Sequence, residues 1–215
     1  MALYFRGKLF FAQERYVDAI SQYRNAIRVE SDNQLYYHSL GWSLSSLGLY
    51  AEALSLYERA LKRFPDDYFL QSRIGRTYRL LDQTRNAIKA YQKAISIAPG
   101  KFGAHIGIGN TYSQIGNLSE AEKHYIRAID LLPSYDETYW LLADVYLRQE
   151  QYEQALLMVR KAIQLAPEKG QAYGILAQVY YRKGDMDKAK DVCHGMMDNV
   201  LLNADGYYNA GLCYQ

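Results

Sequence analysis

The sequence predicts an all-α protein, a right-handed α-solenoid of helix-turn-helix repeats 34 residues long. Three observations carry this. All four prolines, Pro65, Pro99, Pro133 and Pro167, stand 34 residues apart; proline stops a helix because it lacks an amide proton and clashes with the preceding turn. Small residues recur on the same interval at Gly7, Gly41, Gly75, Gly109, Ala143, Ala177 and Gly211. Two alanine rows follow it without insertion. One runs Ala19, Ala53, Ala87, Ala121, Ala155 and Ala189; the other runs Ala26, Ala60, Ala94, Ala128 and Ala162, and breaks at Met196.

The lattice divides the chain at about 1–33, 34–67, 68–101, 102–135, 136–169 and 170–203, leaving 204–215 as the first helix of a seventh repeat or a capping helix. The first repeat has Ser31 where proline stands elsewhere. In the second, Tyr37, Leu40, Gly41 and Leu44 mark one helical face, Gly48 breaks it, and Ala53, Leu54, Tyr57, Ala60 and Leu61 mark a second helix that Pro65 ends. Asp66 and Asp67 offer an N-cap to the third repeat. In the fourth, Gly116 occupies the turn of Gly48, and Asn117 with Glu120 resembles a capping box. The fifth keeps the pattern through Tyr139, Leu142 and Tyr146. The sixth keeps the turn at Gly184 but has Cys193, Met196 and Leu201 where aromatic, alanine and proline are expected.

The columns resemble the tetratricopeptide repeat, W-x2-L-G-x2-Y…A-x3-F…P. Tyr139, Leu142, Ala143, Tyr146, Ala155 and Pro167 follow it, with Val159 in the aromatic slot; so do Ile108, Gly109, Tyr112, Ala121, Tyr125 and Pro133, with His105 in the first aromatic slot. Arg6 departs from the usual leucine. Tyr207, Ala210, Gly211 and Tyr214 begin a further repeat, and Met1 starts inside a helix, so the chain is expected to be a fragment of a longer array, with a lone capping helix as the alternative.

Composition narrows the classes. Apolar residues make up 49% and charged residues 22%, enough to fold, and a net charge of +2 points to neither nucleic acid nor a membrane surface. No apolar run is long enough for a membrane span, and Arg6 and Lys8 interrupt the start that a signal peptide would need. Two cysteines, Cys193 and Cys213, are read as buried free thiols, which favours a reducing, cytoplasmic compartment. The histidines His38, His105, His124 and His194 have no metal-ligand spacing, and no nucleophile, phosphate-loop or metalloprotease motif occurs. The expectation is therefore not an enzyme, and no cofactor.

Of the 22 tyrosines, 16 fall in four packing columns, leaving Tyr4, Tyr36, Tyr68, Tyr135, Tyr181 and Tyr208. The resemblance implies that first helices line a concave face. Carried over residue by residue, it turns inward Tyr4, Lys8 and Phe11, then His38 and Trp42, then Ser72, Arg76 and Arg79, then Asn110. It continues with Trp140 and Asp144, then Gln178 and Tyr181, then Tyr208. Trp42 and Trp140 are candidate peptide anchors, or else they pack on neighbouring first helices. Residues 68–101 hold Arg73, Arg76, Arg79 and four further cations against Asp82 alone. This is either a solvated basic face, with Arg76 stacked on Trp42, or a patch reading carboxylates.

The family's chaperone-tail binders carry a Lys and Asn clamp where this chain has Tyr4 with Lys8 and His38 with Trp42, so the resemblance argues against that ligand. The expected function is a protein-interaction scaffold holding a peptide or protein segment with acidic residues in its concave groove. The alternatives are a self-assembling scaffold joined through uncapped ends and a substrate-recruiting segment of a larger protein or enzyme.

Overall fold

The computed structural model describes residues 1–198, and among these there are twelve α-helices and no strand. They are α1 (Ala2–Ala12), α2 (Tyr16–Val29), α3 (Gln34–Ser46), α4 (Tyr50–Arg63), α5 (Tyr68–Leu80), α6 (Thr84–Ile97), α7 (Phe102–Gln114), α8 (Leu118–Leu131), α9 (Asp136–Arg148), α10 (Tyr152–Leu165), α11 (Gly170–Lys183) and α12 (Met186–Asp198). The chain forms two compact halves, Met1–Thr111 and from Tyr112 onward. Leu201, the proposed seventh repeat with Tyr207, Tyr208 and Tyr214, and Cys213 lie outside the described residues.

Each first helix ends in the same turn. Residues 14, 48, 82, 116, 150 and 184 all have positive φ, and glycine occupies only three of them; Glu14, Asp82 and Glu150 hold the others at 58°, 56° and 62°. The reason is hydrogen bonding. Gly48 N–H donates to Ser45 O (3.0 Å) and Leu49 N–H to Leu44 O (2.9 Å), which closes two orphan carbonyls only if the residue between is left-handed. The same pair of bonds recurs at all six turns.

Second helices leave through one extended residue: Phe64, Ala98, Leu132 and Ala166, with φ from −126° to −145°. The following proline disfavours helical geometry there. Glu30, before Ser31, adopts φ −141° without a proline. Asp67 caps α5 by accepting from the Phe69 and Leu70 N–H groups (2.8 and 3.0 Å). Asn117 accepts from Glu120 N–H (3.3 Å), but the Glu120 carboxylate turns to Lys123 (2.6 Å), so only half of a capping box forms.

Both alanine rows are buried, and Met196, where the second breaks, is only 1% exposed. The glycine row has a steric cause. A Cβ on Gly41 would lie 2.2 Å from the Tyr57 ring, and one on Gly7 or Gly75 would lie 2.6 or 2.8 Å from Tyr23 or Tyr91. Sixteen residues further from Ala143 and Ala177 stand Val159 and Cys193, smaller side chains that leave room for a methyl group. Two buried columns escape the sequence analysis. One is Tyr36, Leu70, Ala104, Thr138 and Ala172; the other is Ser43, Thr77, Thr111, Val145 and Val179. The hydroxyls of Ser43, Thr77 and Thr111 donate to carbonyls four residues back, which lets polar residues sit in the core. Tyr36 and Tyr68, left over from the packing columns, are also core residues: Tyr36 donates to Glu30 (2.8 Å), and the Tyr68 hydroxyl accepts from Ala104 N–H (2.9 Å).

Cys193 is buried and disulfide-bonded. This corrects the expectation of a free thiol at Cys193. Among the described residues no helix is long and apolar enough to cross a membrane.

Candidate functional site

In the first half, α3 and α5 place Trp42, Ser45, Arg73 and Arg76 around one small cavity of ≈ 130 Å³, backed by Tyr50 and Tyr57. Trp42 is 46% exposed, unusual for so large an apolar side chain. Phe11 packs on one side of it at 5.3 Å between ring centroids, and the Arg73 guanidinium lies 4.7 Å over its ring. The stacking partner is thus Arg73, not the Arg76 of the solvated-face alternative. Its Nε is buried without a hydrogen-bond partner, while Arg76 is exposed. No carboxylate lines the cavity.

Tyrosine hydroxyls behind the arginines complete the electrostatics. Burial raises the Tyr57 phenol, and the Arg73 guanidinium beside it offsets part of that rise. Burial pushes Tyr91 up to about 12, against Arg79 and Arg76. Arg79 is accordingly drawn back toward Tyr91 and half-buried.

Other expected site residues of this half are placed differently. Tyr4 packs on Tyr36 (5.2 Å) and Tyr23 (5.9 Å). His38 is 11% exposed and bonds through Nε2 to Asp67 Oδ2 at 2.9 Å; since a carboxylate only accepts, Nε2 carries the hydrogen. Ser72 bonds to the Tyr68 hydroxyl. Lys8 is exposed, and Asn110 is half-buried. Phe69 was missed: it is 55% exposed, and Lys101 lies 5.7 Å over its ring.

In the second half, α9 carries Trp140 and Asp144, both half-buried. Burial raises the Asp144 carboxyl, which Arg148 at 3.8 Å partly offsets. Arg148 also donates to the Ser113 hydroxyl (2.7 Å) and carbonyl (3.1 Å). It was missed although it stands four residues after Asp144, the spacing of a helical ion pair. Gln178 and Tyr181 are exposed on α11, and Tyr208 lies outside the described residues. Among the described residues no group of three His, Cys, Asp or Glu side chains could hold a metal ion.

Tetratricopeptide repeat models match residues 38–102, 102–168 and 146–199. No curated protein matches the chain. Several crystal structures share the fold. A thermophilic TPR protein of Thermus thermophilus is 21% identical, with 78% of this chain and 91% of that chain covered and a TM-score of 0.69. PilW, a type IV pilus biogenesis factor, is 15% identical, with 96% of both chains covered and a TM-score of 0.81. The APC/C hetero-tetramer Cut9–Hcn1 is 14% identical, with 97% of this chain and 42% of that chain covered and a TM-score of 0.78. Together, the paired helices, the glycine row seated against tyrosines and three family models along the chain show that this protein belongs to the tetratricopeptide repeat family.

Proposed function

We propose that the chain is a protein-interaction scaffold whose first half captures a peptide segment bearing carboxylates. Members of its family mediate protein–protein interaction, and a chain similar in fold is seen in the Cut9–Hcn1 hetero-tetramer. The observation that carries the reading is the cavity of Trp42, Arg73 and Arg76. An exposed indole supplies apolar contact, and two guanidinium groups stand beside it with no carboxylate partner among the described residues. Arginine binds carboxylates through two parallel hydrogen bonds, and pre-stacking on an indole reduces the ordering that binding must impose.

Labelled peptides rich in Asp and Glu, compared with their Asn and Gln counterparts, test this. The acidic set binds in preference. Trp42→Ala with Arg76→Ala weakens its binding at least about tenfold, as for anchor residues, while helicity stays unchanged. Equal binding of both peptide sets, or unaltered binding by the double variant, sinks the reading.

A further inference from the structure

A larger cavity of the same half is on another face. It lies on the second-helix side of the first half, between α2 and α4, with a volume of ≈ 930 Å³. Ile27, Tyr37, Leu40, Leu44 and Leu56 give it an apolar floor. A second depression of ≈ 460 Å³ adjoins it, sharing Arg24, Arg28, Leu44 and Glu52, and extends the floor through Val17, Leu47 and Leu49. These three side chains are 70%, 39% and 41% exposed.

One column distinguishes this groove from the next along the chain. The corresponding groove between α4 and α6 measures only ≈ 330 Å³. There Tyr78 stands one repeat after Leu44 and donates to Glu58 (3.0 Å), which stands one repeat after Arg24. The aromatic ring lines that groove, and its hydrogen bond ties α5 to α4. In the second half the same columns pair Tyr180 with Arg160 (3.2 Å). Here Leu44 is a short aliphatic side chain without such a bond, and Arg24 of α2 pairs instead with Glu52 of α4 (3.3 Å), an exposed ion pair where the two depressions meet.

The rim is charged at one end. Glu52 is paired with Arg24, and Arg63 with Asp32. Arg28, Arg59 and Lys62 have no carboxylate partner among the described residues. Cations in a last helical turn complement the helix dipole; α6 and α8 have none in theirs, so the fold does not require Arg28 and Lys62, whereas Arg59 has cationic counterparts at Lys93 and Arg127.

We infer that this groove is a second docking surface, for an amphipathic helix of a partner protein whose apolar stripe ends in acidic residues. The flanking helices of 14 residues make the groove about 21 Å long. That matches a helix of roughly four turns, with anchors at i, i+3, i+4 and i+7. The apolar end at Val17, Leu47 and Leu49 receives its hydrophobic side chains, and Arg28, Arg59 and Lys62 receive its carboxylates. Charge complementarity sets the polarity of the bound helix.

The test uses a panel of synthetic helices with one leucine stripe and Glu at one end, a matched panel with Lys there, and vesicles of phosphatidylglycerol in phosphatidylcholine. At least one Glu helix binds, and its Lys counterpart does not. Leu44→Tyr, which installs the residue native to that column, weakens binding at least tenfold without altering helicity. Arg59→Glu with Lys62→Glu does the same; all of these variants are compared in a Trp42→Ala, Arg76→Ala background, so that the first face contributes nothing to the binding read. No binding by any Glu helix overturns the inference. So does equal binding of Glu and Lys helices, indifference to Leu44→Tyr, or binding to vesicles alone.

Discussion

At the scale of single residues, the chain is organised by matched volumes. Gly41 faces Tyr57, which is only 1% exposed and has nowhere to go. Gly41→Ala therefore costs about 1–3 kcal/mol of overpacking, more than its gain in helix propensity of about 1 kcal/mol. Tyr57→Val leaves a cavity and costs about 3 kcal/mol alone. Combined, the two recreate the Ala143–Val159 solution of the same columns. A double-mutant cycle by urea unfolding is expected to show coupling above about 1 kcal/mol, with propensity cancelling between its arms; additivity rejects the pairing. His38 and Asp67 are matched by charge instead. Burial pushes the Asp67 carboxyl up, but hydrogen bonds from His38 and from the Leu70 and Phe69 N–H groups outweigh it, leaving it below its ordinary value of 3.8. A depressed carboxyl stabilises the fold fully above its unfolded value and loses that contribution as pH falls through the folded one. Denaturation midpoints measured from pH 7 down to about pH 2 should thus fall less steeply below 3.8 for Asp67→Asn than for the parent chain; parallel curves reject the assignment.

At the scale of elements, the left-handed turn is the fixed part, and its residue is negotiable. The turn at 150 is held by two backbone hydrogen bonds, Glu150 N–H to Leu147 O (3.0 Å) and Gln151 N–H to Tyr146 O (2.8 Å), so glutamate remains at φ 62° despite its Cβ. A left-handed residue with a side chain costs about 1–2 kcal/mol, and glycine avoids that while freeing the unfolded chain slightly. Glu150→Gly is expected to raise stability by about 1 kcal/mol, seen as a higher thermal midpoint. Asp82→Gly gains less, because aspartate tolerates this region better. No gain at 150 would show the strain to be absorbed elsewhere. The glycines at 48, 116 and 184 made this turn legible from sequence, whereas the intervening Glu14, Asp82 and Glu150 hid its regularity.

At the scale of the whole molecule, the period is legible because it is written into backbone-determining residues: prolines that stop helices, glycines that accept a tyrosine ring, and alanines at close approaches. Helix pairing and family follow from these alone. The partner each side chain reaches differs from repeat to repeat, so much of the candidate site was not legible. Arg73 and Arg76 are equivalent by composition, and only the packing of α3 against α5 decides that Arg73 covers Trp42. His38 sits on an expected binding position but turns to a carboxylate one repeat away. Tyr36 and Ser43 fall on columns whose residue types vary from repeat to repeat, so their burial has no sequence signature. The sequence by itself determined the repeat, the helices and the size-matched columns, because each depends on residues close along the chain or at one fixed interval. Only the tertiary structure decided which cations stand without a carboxylate, that the groove at Leu44 is larger than the one at Tyr78 one repeat later, and that Cys193 is bonded, because each depends on which neighbour reaches a side chain first.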